Sequence, residues 1–559
     1  MKRIRTSLVV SSAATAALLA GCMTAPLTAT PEPVCAGLAG TTVAPALIGV
    51  PSGAARIDSA VLVQPSALAV AERGATPAAT ITPAMPLHCK VLGRIAPLNG
   101  DAPPILFQVN LPVAWNGRSV QYGGGGFNGV LISGTGLLPA ARFEQPAPLA
   151  QGYVTYGTDS GHQNKPGEPP QAFALHPEAL ENFAHASYKK VRDVAVALMK
   201  SAYGKGPDKL YFVGSSEGGR EGVMMAQRYP RDFDGIFSRV PVLHWTGLQH
   251  AGLRDGLALM GDAWLRPAQV QLMHDYVLQT CDAADGLADR IVSDPVRCRA
   301  RLNVSSLMCG GSTSPDCLNE SQARAIQTLH TPLVFDFELA NGLSRYPGRG
   351  PSGEATPSSG PTGGWQAWWT GSAAPALPPV QANGIAWFYG GGAIQYFYAQ
   401  DPKADLRTYD PRQHLARIRQ VSELMDATNP DLTEFRLRGG KLILLENMGD
   451  YAQSPYAGIE YFQSVQRHQG AARTAEFAKL YAAPGVDHVG TGAPANADLF
   501  QALVQWVENG RAPGDLMLAE QEAKPPFRVI RTRPLCEWPT WPRYRAGDVN
   551  AAASFSCTE

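Results

Sequence analysis

An α/β fold with a mainly parallel sheet and a large inserted lid is predicted from three observations. Apolar strand-like runs alternate with helix-period segments between residues 100 and 230. The alternation is lost over residues 241–425, which carry four cysteines, many aromatics and a Pro/Gly/Ser-rich stretch at 346–364. It resumes at Gly440-Lys-Leu-Ile-Leu-Leu445, a clear strand. The chain is accordingly divided into a leader (1–22), a tether (23–34), a first core part (35–240), a lid (241–425) and a second core part (426–559).

The leader has a basic start (Lys2, Arg3, Arg5) and an apolar run from Leu8 to Ala20. That run is too short to span a bilayer and reads as an export signal. It ends in Leu19-Ala20-Gly21-Cys22, which resembles a bacterial lipobox and implies lipidation of Cys22. Met23 after that cysteine favours the outer membrane by the sorting rule for such lipoproteins; an ordinary secretory signal is the alternative. Residues 24–34, rich in Pro and Thr, read as a flexible tether.

Within the first core part, Ile105–Leu111, Ser119–Tyr122, Tyr153–Tyr156 and Leu210–Val213 are expected strands. Residues 185–203 are an expected helix, with Val191, Val194 and Leu198 on one face; Glu221–Tyr229 is another, stopped by Pro230.

Charge and cysteine content bound the function. The 559 residues carry 47 basic and 47 acidic side chains, so the basic excess of a nucleic-acid binder is absent. The apolar fraction of 45% is too high for a disordered chain. Of nine cysteines, Cys22 aside, eight fall into neighbouring groups: Cys35 with Cys89, Cys281 with Cys298, Cys309 with Cys317 and Cys536 with Cys557. Neighbour pairing gives four disulfides and an oxidising destination, although spacing alone leaves other connectivities open. No CxxC or His-x3-His spacing supports a zinc site.

The chemistry centres on Gly214-Ser215-Ser216-Glu217-Gly218, a G-x-S-x-G between a strand and a helix. That context places Ser216 on a sharp turn at a helix N-terminus, where negative charge is stabilised. A serine hydroxyl needs a base. His488 follows the strand Phe477–Ala482 in a loop suited to that role. The base in turn needs an orienting carboxylate, and Asp450, directly after strand 441–445, is the expected one. Glu446 is a rival still on the strand; Asp487 is a rival whose adjacency to His488 makes contact with the ring awkward. The order Ser216, Asp450, His488 is that of α/β-hydrolases. Asp159 and His162 precede the serine, the wrong order, and read as structural. The oxyanion would be held by the N–H groups of Glu217 and of Gly126, in the glycine run 123–126. That run is not a phosphate loop, since no Gly-Lys-Ser/Thr follows.

Together these residues resemble the tannase/feruloyl esterase family of α/β-hydrolases. Matching stretches include Ala114–Gly117, Gly123–Gly129, Gly157–His162, Gly214–Glu221, Arg438–Lys441, Pro484–His488 and Arg531–Cys536. The resemblance implies hydrolysis of aromatic acid esters through an acyl-enzyme, with no organic cofactor. It implies a structural Ca²⁺ in the lid, held by the side chains of Asp282, Asp285 and Asp289 and the carbonyls of Leu287 and Ile291. It also points to Trp368 as a substrate contact among the lid aromatics Trp365, Trp368, Trp369, Trp387, Phe388 and Tyr389.

Two departures stand out. Members often bridge the residue before the serine to the residue after the histidine by a disulfide; here these are Ser215 and Val489. Terephthalate-monoester hydrolases of the family use a lid arginine, and residues 365–400 contain none. The expected partner is a small aromatic ester, with no nucleic acid and membrane association only through a lipid anchor; oligomeric state is left open. Alternatives are a terephthalate-monoester hydrolase, a peptidase or amidase, and a non-catalytic outer-membrane binding lipoprotein on a hydrolase fold.

Overall fold

The strand-forming runs assemble one ten-stranded sheet in a computed structural model that describes residues 31–72, 79–310, 314, 316–356 and 364–559. The leader, Cys22 and residues 23–30 of the tether lie outside the described residues. Residues 31–34, expected as tether, form most of a short helix, Pro31–Ala36, pinned to the sheet by Cys35–Cys89.

In chain order the sheet strands are β1 (Thr42–Val43), β2 (Ala55–Val63), β3 (His88–Ile95), β4 (Ile105–Pro112), β5 (Arg118–Tyr122), β6 (Val154–Thr158), β7 (Lys209–Ser215), β8 (Gly235–Arg239), β9 (Lys441–Asn447) and β10 (Ala478–Ala483). Their spatial order is 1-2-3-4-6-5-7-8-9-10. From β6 onward every pairing is parallel. From β1 to the β4–β6 pair every pairing is antiparallel. The sheet is thus more mixed than the sequence suggests. The turn between β3 and β4 is too short for the crossover that a parallel pair requires.

Three helices build the site's frame: α1 (Ser187–Tyr203), α2 (Glu217–Arg228) and α3 (Trp245–Ala258). Helix α2 begins four residues earlier than its sequence suggests, immediately after Ser216. Between β8 and β9 the described chain is largely helical and its only strands form a two-residue ribbon, Leu333–Val334 with Arg345–Tyr346.

Period-two alternation in β7 and β9 feeds both faces. Phe212, Leu442 and Leu444 pack with Val223 and Met225 of α2 on one face. Tyr211, Val213, Ile443 and Leu445 pack with Phe500 and Leu503 on the other. Each such burial contributes roughly 1.5–3 kcal/mol, so the strand ends that carry the site are rigidly held. All four neighbour disulfides form.

Candidate active site

Strand β7 ends in Gly214-Ser215, and the chain reverses at Ser216 with φ 60° and ψ −122°, a strained geometry for a residue with a side chain. The turn closes only because its neighbours are glycines. A Cβ on Gly214 would lie 2.1 Å from the Gly218 carbonyl oxygen, and one on Gly218 would lie 2.6 Å from that of Gly124. The strand, the helix and the glycine loop therefore touch backbone to backbone around Ser216.

His488 stands in the loop after β10 and Asp450 in the loop after β9. Its Nε2 lies 3.0 Å from the Ser216 Oγ, and its Nδ1 lies 2.7 Å from Asp450 Oδ2. Since the carboxylate can only accept, Nδ1 carries the proton and Nε2 accepts from the serine hydroxyl. Asp450 is 2% exposed, and its other oxygen accepts from the N–H groups of Ala452 and Gln453. That leaves it one orientation.

Both rival acids are accounted for. Glu446 ends on β9, fully buried, and burial holds its carboxyl well above the usual range. Asp487 turns its carboxylate back on its own loop, accepting from the N–H groups of Val489, Gly490 and Thr491 and from the Thr491 hydroxyl. Asp159 accepts from two backbone N–H groups and Gln163, while His162 stacks on Phe173 at 3.7 Å. The structure does not bring that pair together as a dyad. Burial pushes Asp159 up to about 7 and His162 down to about 4.

Gly126 (φ 57°) and Glu217 line a cavity of about 420 Å³ beside Ser216 and His488. Among the described residues neither N–H is engaged by a protein acceptor. The glycine loop is fixed from below by Glu221, which accepts from the Gly124 N–H (3.0 Å), Asn128 Nδ2 (2.6 Å) and the Tyr188 hydroxyl (2.7 Å). The Glu217 side chain points the other way, onto Arg220; burial pushes its carboxyl up to about 7 against that guanidinium.

The rest of the cavity wall is mainly aromatic and aliphatic, with Phe127, Val242, Trp245, Leu248, Trp368 and Tyr389, and carries the polar side chains of Arg239, Gln249 and Gln453. The Trp368 ring sits 5.7 Å from that of His488 and edge-on to Tyr389. Trp365, Trp369 and Trp387 are buried in packing instead, and Phe388 does not line the cavity. Sequence reasoning missed Phe127, Trp245, Leu248 and Arg239. A basic residue in a buried strand, as at Arg239, was the one available signal among them.

The family described as tannase and feruloyl esterase matches residues 89–558. The chain belongs to that family.

This tannase-family chain is 33% identical over 551 residues to an uncharacterized esterase of Agrobacterium fabrum, covering 94% of this chain and 93% of that protein. It is 34% identical over 561 residues to the mono(2-hydroxyethyl) terephthalate hydrolase of Piscinibacter sakaiensis, covering 89% of each. The solved feruloyl esterase B of Aspergillus oryzae superposes with a TM-score of 0.73 at 22% identity, over 95% of this chain and all of that one. The last comparison establishes the shared fold.

The acidic loop that the family resemblance singled out runs from Cys281, bonded to Cys298, to Ile291. Asp282 accepts from the N–H groups of Asp289 and Arg290; Asp285 accepts from Leu287 N–H and the Ser293 hydroxyl; Asp289 pairs with Arg533. Burial, and secondarily the charge of Asp289, holds the Asp282 and Asp285 carboxyls above their usual range. Three carboxylates in one short loop, with carbonyls at Leu287 and Ile291, are oxygen donors of the type a hard cation takes, but the three carboxylates are engaged by these partners and their oxygens do not all lie within 4.8 Å of one another. Among the described residues, the one trio of potential ligand atoms within 4.8 Å of one another is Asp515, Cys536 and Cys557, and its two cysteines are a disulfide.

Proposed function

We propose that the chain is a serine carboxylic ester hydrolase of aromatic acid esters, working through an acyl-enzyme. The supporting observation is His488 bonded on one side to Ser216 and on the other to Asp450, beside an aromatic-walled cavity. Ser216 Oγ attacks the ester carbonyl while His488 Nε2 takes its proton. Asp450 holds the imidazole in that tautomer and stabilises the cation formed. The N–H groups of Glu217 and Gly126 receive the oxyanion. His488 then protonates the leaving alcohol and activates the water that releases the acid.

The test is hydrolysis by the chain from residue 22 onward, carrying Cys22→Ser, on gallate, protocatechuate, ferulate and terephthalate monoesters. Turnover of at least one aromatic ester is expected; a folded protein inert on all four, yet binding them, would favour the non-catalytic reading. The terephthalate arm addresses a second reading, supported by the 34% identical relative. Lipid anchoring at Cys22 is tested separately on the full-length chain, in which Cys22→Ser should abolish the membrane partitioning of the native protein. Four disulfides and the lack, among the described residues, of a helix able to cross a membrane fit an exported protein.

Trp368 is proposed to stack on the acyl ring. Trp368→Ala should raise KM for aryl esters by about 2- to 10-fold, with kcat changed less, since an aromatic pair contributes about 0.5–1.5 kcal/mol. Equal effects on aryl and alkyl esters in steady-state kinetics would remove that role.

A structural Ca²⁺ is proposed for Asp282, Asp285 and Asp289 with the Leu287 and Ile291 carbonyls, and its role would be to hold the loop. At a hundredfold excess over its Kd, bound calcium would stabilise the protein by about 2.7 kcal/mol. Calcium should therefore raise Tm in calorimetry and chelation lower it, and Asp285→Asn should abolish the response. A Tm indifferent to both would exclude the site.

A further inference from the structure

Arg239 is a buried cation that the proposed chemistry leaves unused. It ends β8, is 7% exposed, and lines the same cavity as Ser216 and His488. Asp487 and Asp450 act on it through space, and it has no side-chain hydrogen bond to either. Burying a charge without a paired partner is costly, so its place calls for a compensating role.

Its two polar ends reach the two halves of the site. The Arg239 carbonyl accepts the Ser216 N–H at 3.0 Å. Its Nη2 donates to the His488 carbonyl at 2.9 Å. The histidine loop wraps the guanidinium closely: a Cβ on Gly490, at φ 94°, would lie 3.0 Å from Nη2. Ser215, its register partner on β7, and Val489, 44% exposed, line the same end of the cavity and supply no thiol to link strand and loop.

We propose that Arg239 is a positioning residue that straps the Ser216 turn to the His488 loop, doing by hydrogen bonds what a covalent bridge between residues 215 and 489 would do. It sets the Ser216–His488 distance through these two bonds. This inference rests on the serine-esterase reading.

The test uses a fluorophosphonate probe on the full-length protein, reading both the rate constant of Ser216 labelling and its end point. Arg239→Met is expected to slow labelling by roughly 10–100-fold, the scale of an ångström-sized misplacement, with an unchanged end point. Arg239→Lys should fall between the two. Adding Ser215→Cys and Val489→Cys to Arg239→Met, with the bridge closed, should return the rate constant to within about threefold of native. A methionine variant as fast as native would overturn the proposal, and so would a loss confined to the end point, which marks a folding defect. A closed bridge that restores nothing would do the same. If the methionine variant does not fold, Arg239→Lys and its cysteine-pair derivative carry the comparison. Labelling of Ser216→Ala at the native rate would instead sink the serine-esterase reading itself.

Discussion

Ser216→Ala should lower kcat/KM on aromatic esters by about 10⁴–10⁶-fold while leaving the protein folded. Among the described residues the Ser216 Oγ is the side-chain oxygen hydrogen-bonded to His488 Nε2, at 3.0 Å, and so the one placed to form the acyl bond. Its removal forces direct attack by water. The Glu217 and Gly126 N–H groups remain, so a residual rate of about 10³–10⁴ over the uncatalysed reaction should persist. Alanine keeps the same backbone at φ 60°, so Tm should move little. Single-turnover hydrolysis beside thermal unfolding separates the two effects. Activity above a few per cent of native would mean that the bond to carbon is made by another group.

Asp450→Asn is the second large effect, a fall of about 10⁴ in kcat. Asparagine fits the site: its oxygen can keep the bonds from the Ala452 and Gln453 N–H groups. Its amide nitrogen would then face His488 Nδ1 and donate to it. That moves the ring proton to Nε2, which can no longer accept from Ser216. Geometry survives and the tautomer is wrong. Asp487→Asn is the control, because that carboxylate binds the 489–491 backbone and not the ring. It should lower Tm more than kcat. If it cost more activity than Asp450→Asn, the two acids would have to exchange roles.

Much of this site was legible in the sequence, and the failures have physical causes. Ser216 was marked by glycines on both sides and a strand before it, and those glycines prove necessary for backbone contact among Gly124, Gly214 and Gly218. The same glycines hid the start of α2, because Gly218 and Gly219 are poor helix formers and helical periodicity becomes visible only near Glu221. The antiparallel side of the sheet was not anticipated, since pairing direction depends on crossovers between strands distant in the chain. Trp245 carries no local signature of a cavity wall, and Arg239 only that of a basic residue in a buried strand; they become one where β8 and α3 meet the histidine loop.

By itself the sequence determined the local chemistry: a serine at a strand-to-helix turn, a histidine and an acid in loops after later strands, and cysteines whose short separations favoured neighbour pairing. It also determined that three carboxylates share one short loop. The tertiary structure decided orientation. It turned Asp450 rather than Asp487 toward the imidazole. It set Trp368 against the cavity and buried Trp369, its immediate neighbour. It laid a core guanidinium behind the histidine. Residue type and order are encoded along the chain, but which face a side chain presents is fixed by packing against segments hundreds of residues away.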